Sequence, residues 1–121
     1  MNNQFKRRCK LGAEARIILH ERFPEVFKGK GENKHPLRVG IHADIKREIP
    51  EFSSNQVHMA LRDYMGGPTY LRNMIEGTLR MGLDGKLYEP VTKEHELAAK
   101  QNLQKLEVRY ACMNALKMKD A

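Results

Sequence analysis

The side chains in this 121-residue chain that are suited to chemistry are cations rather than nucleophiles. No GxSxG elbow, GxxxxGK[ST] phosphate loop or HExxH metal site occurs, and no Cys or His pair has ligand spacing. The five histidines, His20, His35, His42, His58 and His95, fall on different predicted elements. His58 and Arg62 are one helical turn apart, but an exposed His beside an Arg reads more readily as an anion-facing pair than as a general base. The expectation is therefore a non-enzyme with no metal, no cofactor and no small-molecule substrate.

Two cationic faces emerge at helical spacing: Arg38, His42 and Lys46, and then Ser54, His58 and Arg62. Between them and the C-terminus lies YMGGPTYLRN, Tyr64 to Asn73. Gly67 suits an N-cap and Pro68 the first helical position, leaving the amides of Thr69 and Tyr70 expected to be free at a positive helix end, where phosphate can bind. The side chain of Tyr70 offers a stacking face or a hydroxyl; an ordinary helix start with Tyr70 in the core accounts for the same residues. Further on, Arg80 alternates with Leu79 and Met81 and is predicted to point away from the apolar face, opposite Glu89.

The elements that must position these residues can be read from periodicity. A helix is predicted over about Lys10 to Phe23 on Leu11, Ala15, Ile18 and Leu19, followed by Phe23, Val26 and Phe27 turning into the core. Lys28 to Pro36 reads as a mobile basic loop. A helix from Leu37 to Ile49 is expected on Val39, Ile41, Ile45 and Ile49, with Pro50 as its stop. Ser53 and Gln56 form a capping box ahead of a stripe of Val57, Ala60, Leu61 and Tyr64. A short helix over about Pro68 to Met74, a hairpin turning on Asp84-Gly85, and a long helix capped by Thr92 complete the chain, the last with apolar Ala99, Leu103, Leu106, Tyr110 and Met113. The fold class is α+β: a mostly helical single domain over residues 1–121 with a small β-hairpin, and flexible ends at about 1–10 and 117–121.

The net charge is +7, and residues 1–47 carry 12 Lys and Arg against 5 Asp and Glu while the rest is balanced. A one-sided excess of this kind is the footprint of a polyanion partner. An acidic membrane surface is disfavoured, because the basic segments lack a bulky apolar face. No stretch approaches the roughly 18 apolar residues of a membrane span, and the two cysteines, Cys9 and Cys112, suit reduced thiols, so a cytoplasmic protein is expected.

The motifs ERFPEVF, HPLRVGIHADI, SSNQVHMALRDYM, TYLRNM and LDGKLYEPVTKEH, in this order over about Ala15 to Lys105, resemble the ProQ/FinO-domain RNA chaperones of bacteria. The resemblance implies a FinO-like domain that binds structured RNA, such as small RNAs and mRNA 3′ ends, at the base of a 3′ terminator hairpin and its U-rich tail. It also implies promotion of RNA pairing and protection of 3′ ends, without covalent chemistry. By motif, Arg38 and Arg62 fall on the implied RNA-binding face, and Tyr70 with Arg80 match the pair implied near the RNA 3′ end. Better-known members carry Lys or Arg where this chain has Ser54 and His58. Lys46, Arg47 and the basic stretch Lys6 to Lys10 are available to compensate. The expected RNA-contacting set is thus Arg38, Lys46, His58, Arg62, Gly67, Thr69, Tyr70 and Arg80 on a monomer. The alternative is a helix-turn-helix DNA-binding regulator, in which Ser53 to Tyr64 would enter a major groove and a dimer would be required.

Overall fold

In a computed structural model, which describes residues 3–29 and 31–119, five helices and one hairpin follow in the order α1 (Asn3–Arg22), α2 (Ile41–Glu48), α3 (Ser54–Met65), α4 (Pro68–Leu71), β1 (Leu79–Met81), β2 (Leu87–Pro90) and α5 (Lys93–Lys119). The expected α+β class, mostly helical with one antiparallel hairpin, is what forms. The core collects Ala15 and Leu19 from α1, Val26 and Phe27 from the following turn, Ile41 and Ile45 from α2, and Val57, Ala60, Leu61 and Tyr64 from α3. Each fully buried large side chain, such as Leu19, Phe27 or Ile45, contributes about 1.5–3 kcal/mol relative to exposure.

Helix α3 forms as its sequence dictates: the Ser53 hydroxyl accepts from the Gln56 amide at 3.0 Å while the Gln56 side chain accepts from the Ser53 amide at 2.7 Å. Its partner α1 begins at Asn3 rather than near Lys10, and Ile18 lies largely outside the core. The two helices approach closely at Gly12, where an added Cβ would stand 2.8 Å from the Met59 carbonyl oxygen. One turn on, Arg16 pairs with Asp63 at 3.1 Å and its guanidinium lies 5.2 Å from the Tyr64 ring centre. Beyond, Tyr64 donates its hydroxyl to the Val26 carbonyl at 3.2 Å and accepts from the Lys28 amide at 3.0 Å, tying the chain after α1 to α3.

Several expectations are corrected. The basic loop expected to be mobile is anchored at Lys34, which is only 3% exposed and whose ammonium donates to the Thr69 hydroxyl at 2.7 Å and to the carbonyls of Gly29 and Glu32. Burial pulls the Lys34 amine below its ordinary pKa. Leu37 to Gly40 is not helical: Leu37 bridges to Met81, Val39 and Gly40 form a turn, and Gly40 takes a left-handed conformation (φ 85°), so α2 starts only at Ile41 and Val39 is left exposed. Instead, this segment docks alongside β1, with Arg38 N–H donating to the Met81 carbonyl and Met81 N–H to the Pro36 carbonyl, both at 2.8 Å. Helix α4 stops at Leu71, short of Met74.

The hairpin loop is longer than the expected two-residue turn. The Gly82 amide bonds the Lys86 carbonyl around Leu83, Asp84 and Gly85, and Gly85 supplies the left-handed step (φ 79°). The pairings Leu79↔Pro90 and Met81↔Leu87 place one extra residue on β2, a bulge that removes the one-to-one partner of Arg80. Helix α5 is capped by Thr92, whose hydroxyl accepts from the His95 amide at 3.2 Å. Its stripe is buried only near the start: Ala99 is covered and Leu103 and Leu106 are half-buried, whereas Tyr110 and Met113 are exposed. Cys9 and Cys112 are free thiols.

Candidate nucleic-acid interface

The stretch Leu37–Gly40, the outer side of α3, the short α4 and the first turns of α5 enclose an open groove of about 630 Å³. Its floor is apolar, with Leu61 and Met65 from α3, Leu71 and Met74 from α4 and beyond, and Ala99 from α5. Around this floor stand Arg38, His42, His58, Arg62, Arg80 and His95, so cations and imidazoles ring a greasy surface. A flat base fits such a floor and a phosphate fits such a rim.

Arg80 is the element that strand alternation placed wrongly. It is 6% exposed, on the inner side of β1, while Leu79 is the residue turned outward. One guanidinium nitrogen donates to the Leu37 carbonyl at 2.9 Å and the other bonds His95 Nδ1 at 2.8 Å. Because the guanidinium is always a donor, Nδ1 must be the acceptor and the imidazole proton sits on Nε2. Glu89, the expected partner, instead accepts from the Val39 amide at 3.0 Å and stands 4.0 Å from Arg38. Hydrogen bonds from its own amide and that of Val39, with help from Arg38 and Arg80, hold its carboxyl below the usual range.

Tyr70 is also a core residue by burial, 3% exposed, with its ring edge-on to Tyr64 at 5.9 Å. Its ring is therefore not an open stacking face. Tyr70 nevertheless lines the groove, and its hydroxyl accepts from the Leu37 amide at 3.0 Å. Burial raises its pKa above 10.0. Leu37 thus presents its amide to Tyr70 and its carbonyl to Arg80, and one peptide segment sets both side chains.

The other predicted residues divide. His58 and Arg62 are exposed along α3 and line the groove; among the described residues Arg62 has no carboxylate partner, since Asp63 is taken by Arg16. Arg38 lies over the Tyr88 ring at 4.0 Å and near Asp44 at 3.9 Å, on the hairpin side of the rim. Lys46 lies outside the groove, its ammonium donating to the Phe52 carbonyl in the turn before α3. Gly67 and Thr69 also lie outside it. The Tyr70 amide is engaged by the Gly67 carbonyl at 3.2 Å rather than free, and the Thr69 hydroxyl is occupied by Lys34. No side-chain atom comes near Gly67, and neither it nor Gly66 has a positive φ.

His95 is the groove residue that sequence reasoning missed. Its signal was available: it precedes the buried Ala99 by four residues, hence shares its face of α5. Lys34 had no such signal, because its acceptors come from Gly29, Glu32 and Thr69.

A helical α+β domain with a cation-rimmed, apolar-floored groove offers the chemistry that a nucleic acid would need. More specifically, residues 13–115 match the model of the ProQ/FINO family, and the chain belongs to that family. It is 34% identical over 99 residues to the RNA chaperone ProQ of Idiomarina loihiensis, covering 79% of this chain and 47% of the relative. With the RNA chaperone ProQ of Aeromonas salmonicida it shares 34% identity over 105 residues, or 84% of this chain and 50% of the relative. The chain spans about half the length of the curated relatives it matches. A solution structure of a ProQ homolog from Legionella pneumophila superposes with a TM-score of 0.67 at 30% identity, covering 78% of this chain and 81% of that one. A FinO-like RNA chaperone from Neisseria meningitidis shares the fold, with a TM-score of 0.65 at 17% identity over 88% of this chain and 85% of that one. The α2–turn–α3 pair that prompted the helix-turn-helix reading lies within the residues matched by the family model.

Proposed function

We propose that this chain is a monomeric, non-enzymatic RNA chaperone that binds structured RNA at its 3′ end, pairing RNAs and shielding their ends. The base of a terminator-like hairpin lies along α3, against Arg62 and His58 with Lys46 beside the start of the helix. The U-rich tail enters the groove, where Arg38, Arg80 and the Tyr70 hydroxyl meet its sugar-phosphate backbone and the apolar floor takes its bases. Gly67 and Thr69, outside the groove, are left out of the contact set. The observation that carries this reading is Arg80: buried beside the groove, it uses two of its five N–H donors on protein, leaving the others for an anion. The membership in a family of RNA chaperones supports the same partner.

The test compares one hairpin RNA carrying a 3′ U-tract with the same hairpin lacking the tail or blocked at its 3′ hydroxyl, at one stated salt concentration. Tailed RNA is expected to bind at least about tenfold more tightly, the equivalent of one good charge-assisted hydrogen bond. Equal affinities would remove the groove from the mechanism. Tighter binding of duplex DNA in the same competition would favour the helix-turn-helix alternative.

A further inference from the structure

We propose that His95 is a positioning residue for the RNA 3′ end: it fixes the guanidinium of Arg80 at the groove while leaving the positive charge uncancelled. This inference rests on the reading of the groove as the site of the tail, and adds to it a residue on α5 that acts through Arg80.

Arg80 is buried without a counter-ion. It is 6% exposed, and among the described residues it has no carboxylate partner. Both groups that hold it, the Leu37 carbonyl at 2.9 Å and His95 Nδ1 at 2.8 Å, are neutral acceptors. Glu89, whose carboxyl feels the Arg80 charge, is engaged elsewhere: one oxygen accepts from the Val39 amide at 3.0 Å and the other stands 4.0 Å from Arg38. No Asp or Glu lines the groove. A cation taken out of water, hydrogen-bonded but not neutralised, is unfavourable until an anion reaches it.

The side chain at position 95 decides whether that charge survives. A carboxylate there would hold the guanidinium at least as firmly and cancel it, and a Lys or Arg would repel it. An imidazole with its proton on Nε2 accepts at Nδ1 and stays neutral, so it orients without neutralising. His95 is itself exposed, so its ring is not in place to fill the core.

The surroundings fix the pair. The Thr92 hydroxyl accepts from the His95 amide at 3.2 Å, setting the first turn of α5. Just before it, the buried Val91 donates its amide to the Thr78 carbonyl at 2.9 Å and accepts from the Gly77 amide at 3.0 Å. The residue leading into the α5 cap is thus clamped to the residues leading into β1, and His95 and Arg80 extend from the two sides of that clamp. Ala99, one turn beyond His95, is 4% exposed and seats the same side of α5. The imidazole therefore meets Arg80 from a braced position.

The experiment measures binding of a tailed hairpin RNA, and of the same hairpin without its tail, at one stated salt concentration. The full chain is compared with His95→Ala, His95→Asn and His95→Asp, each checked for folding by circular dichroism and thermal melting. His95→Ala is expected to lose about tenfold on tailed RNA and almost nothing on tail-less RNA. His95→Asn, which brings a neutral acceptor oxygen near the place of Nδ1, is expected to recover to within about threefold of the wild type. His95→Asp separates positioning from support of the fold: it is expected to melt no lower than the wild type, yet to lose at least about tenfold on tailed RNA. Asn102→Asp makes the same change in net charge on the groove wall about two turns further along α5, and is expected to lose no more than about threefold. In an Arg80→Met background, His95→Ala is expected to change nothing further. Wild-type tail binding by His95→Asp, equal loss on both RNAs by His95→Ala, or a full His95→Ala effect in the Arg80→Met background would each overturn the proposal. A wild type that ignores the tail would remove the groove reading and this inference with it. A wild type that prefers the tail, with the preference intact in His95→Ala, would sink this inference alone.

Discussion

Replacing Arg80 by Met keeps most of its volume and removes its charge and donors. On the protein, the Leu37 carbonyl and His95 Nδ1 lose their partner, at a cost of about 1–3 kcal/mol for the buried carbonyl. On the RNA, the lost charge-assisted contact is worth about 1.5–3 kcal/mol, or about 10- to 150-fold in Kd. The two effects separate in a double-mutant cycle between Arg80→Met and removal of the RNA tail, read by fluorescence anisotropy under conditions where the variant is fully folded. Tailed RNA is expected to lose the full factor and tail-less RNA almost none. Arg80→Lys is expected to fall near Met, since a single ammonium cannot span the Leu37 carbonyl and His95 while also reaching into the groove. Equal weakening on both RNAs would refute the reasoning and leave Arg80 as a brace of the fold alone.

Gly12→Val is expected to destabilise by about 1–3 kcal/mol, because its Cβ must push against the Met59 backbone; a urea titration measures the drop, and an unchanged midpoint would show that the helices can part freely. High pH should unfold the protein through its tyrosines. Burial raises Tyr64 and Tyr70 above 10.0, so their stabilisation is complete below pH 10 and is lost as pH climbs through their folded values. Denaturation midpoints falling above pH 10, and falling less in Tyr64→Phe, are the expected outcome. Lys34, pulled below 10.5 by burial, works in the opposite direction, so a Lys34→Met background isolates the tyrosine effect.

What was legible in the sequence is whatever was encoded within a turn or two. The capping box at Ser53, the stripe Val57 to Tyr64, Pro68 at a helix start and the Thr92 cap all depend on neighbours within four residues, and all formed as read. Arg80 was misplaced for the complementary reason: its acceptors lie 43 and 15 residues away, and a bulge in β2 broke the alternation used to orient it. Tyr70 was read two ways, as a core residue or as a face for RNA, and its ring is buried in the core with its hydroxyl bonded to the Leu37 amide. Treating Val39 as a helical apolar position failed at Gly40, whose left-handed φ starts the helix late. Of the two amides expected to be free, those of Thr69 and Tyr70, the one on Tyr70 is lost to ordinary helix closure, since the Gly67 carbonyl accepts from it.

Leu37 has its amide on Tyr70 and its carbonyl on Arg80, across separations of 33 and 43 residues. A chain that has formed its helices but not yet closed these two spans has no groove, so affinity and completion of folding are one thermodynamic event. Saturating RNA should then protect the amides around Leu37 from hydrogen exchange well beyond those of α3, with a gain set by RT ln(1 + [RNA]/Kd). Half-folded molecules would compete poorly for RNA, which makes the ligand a check on the quality of the fold that receives it.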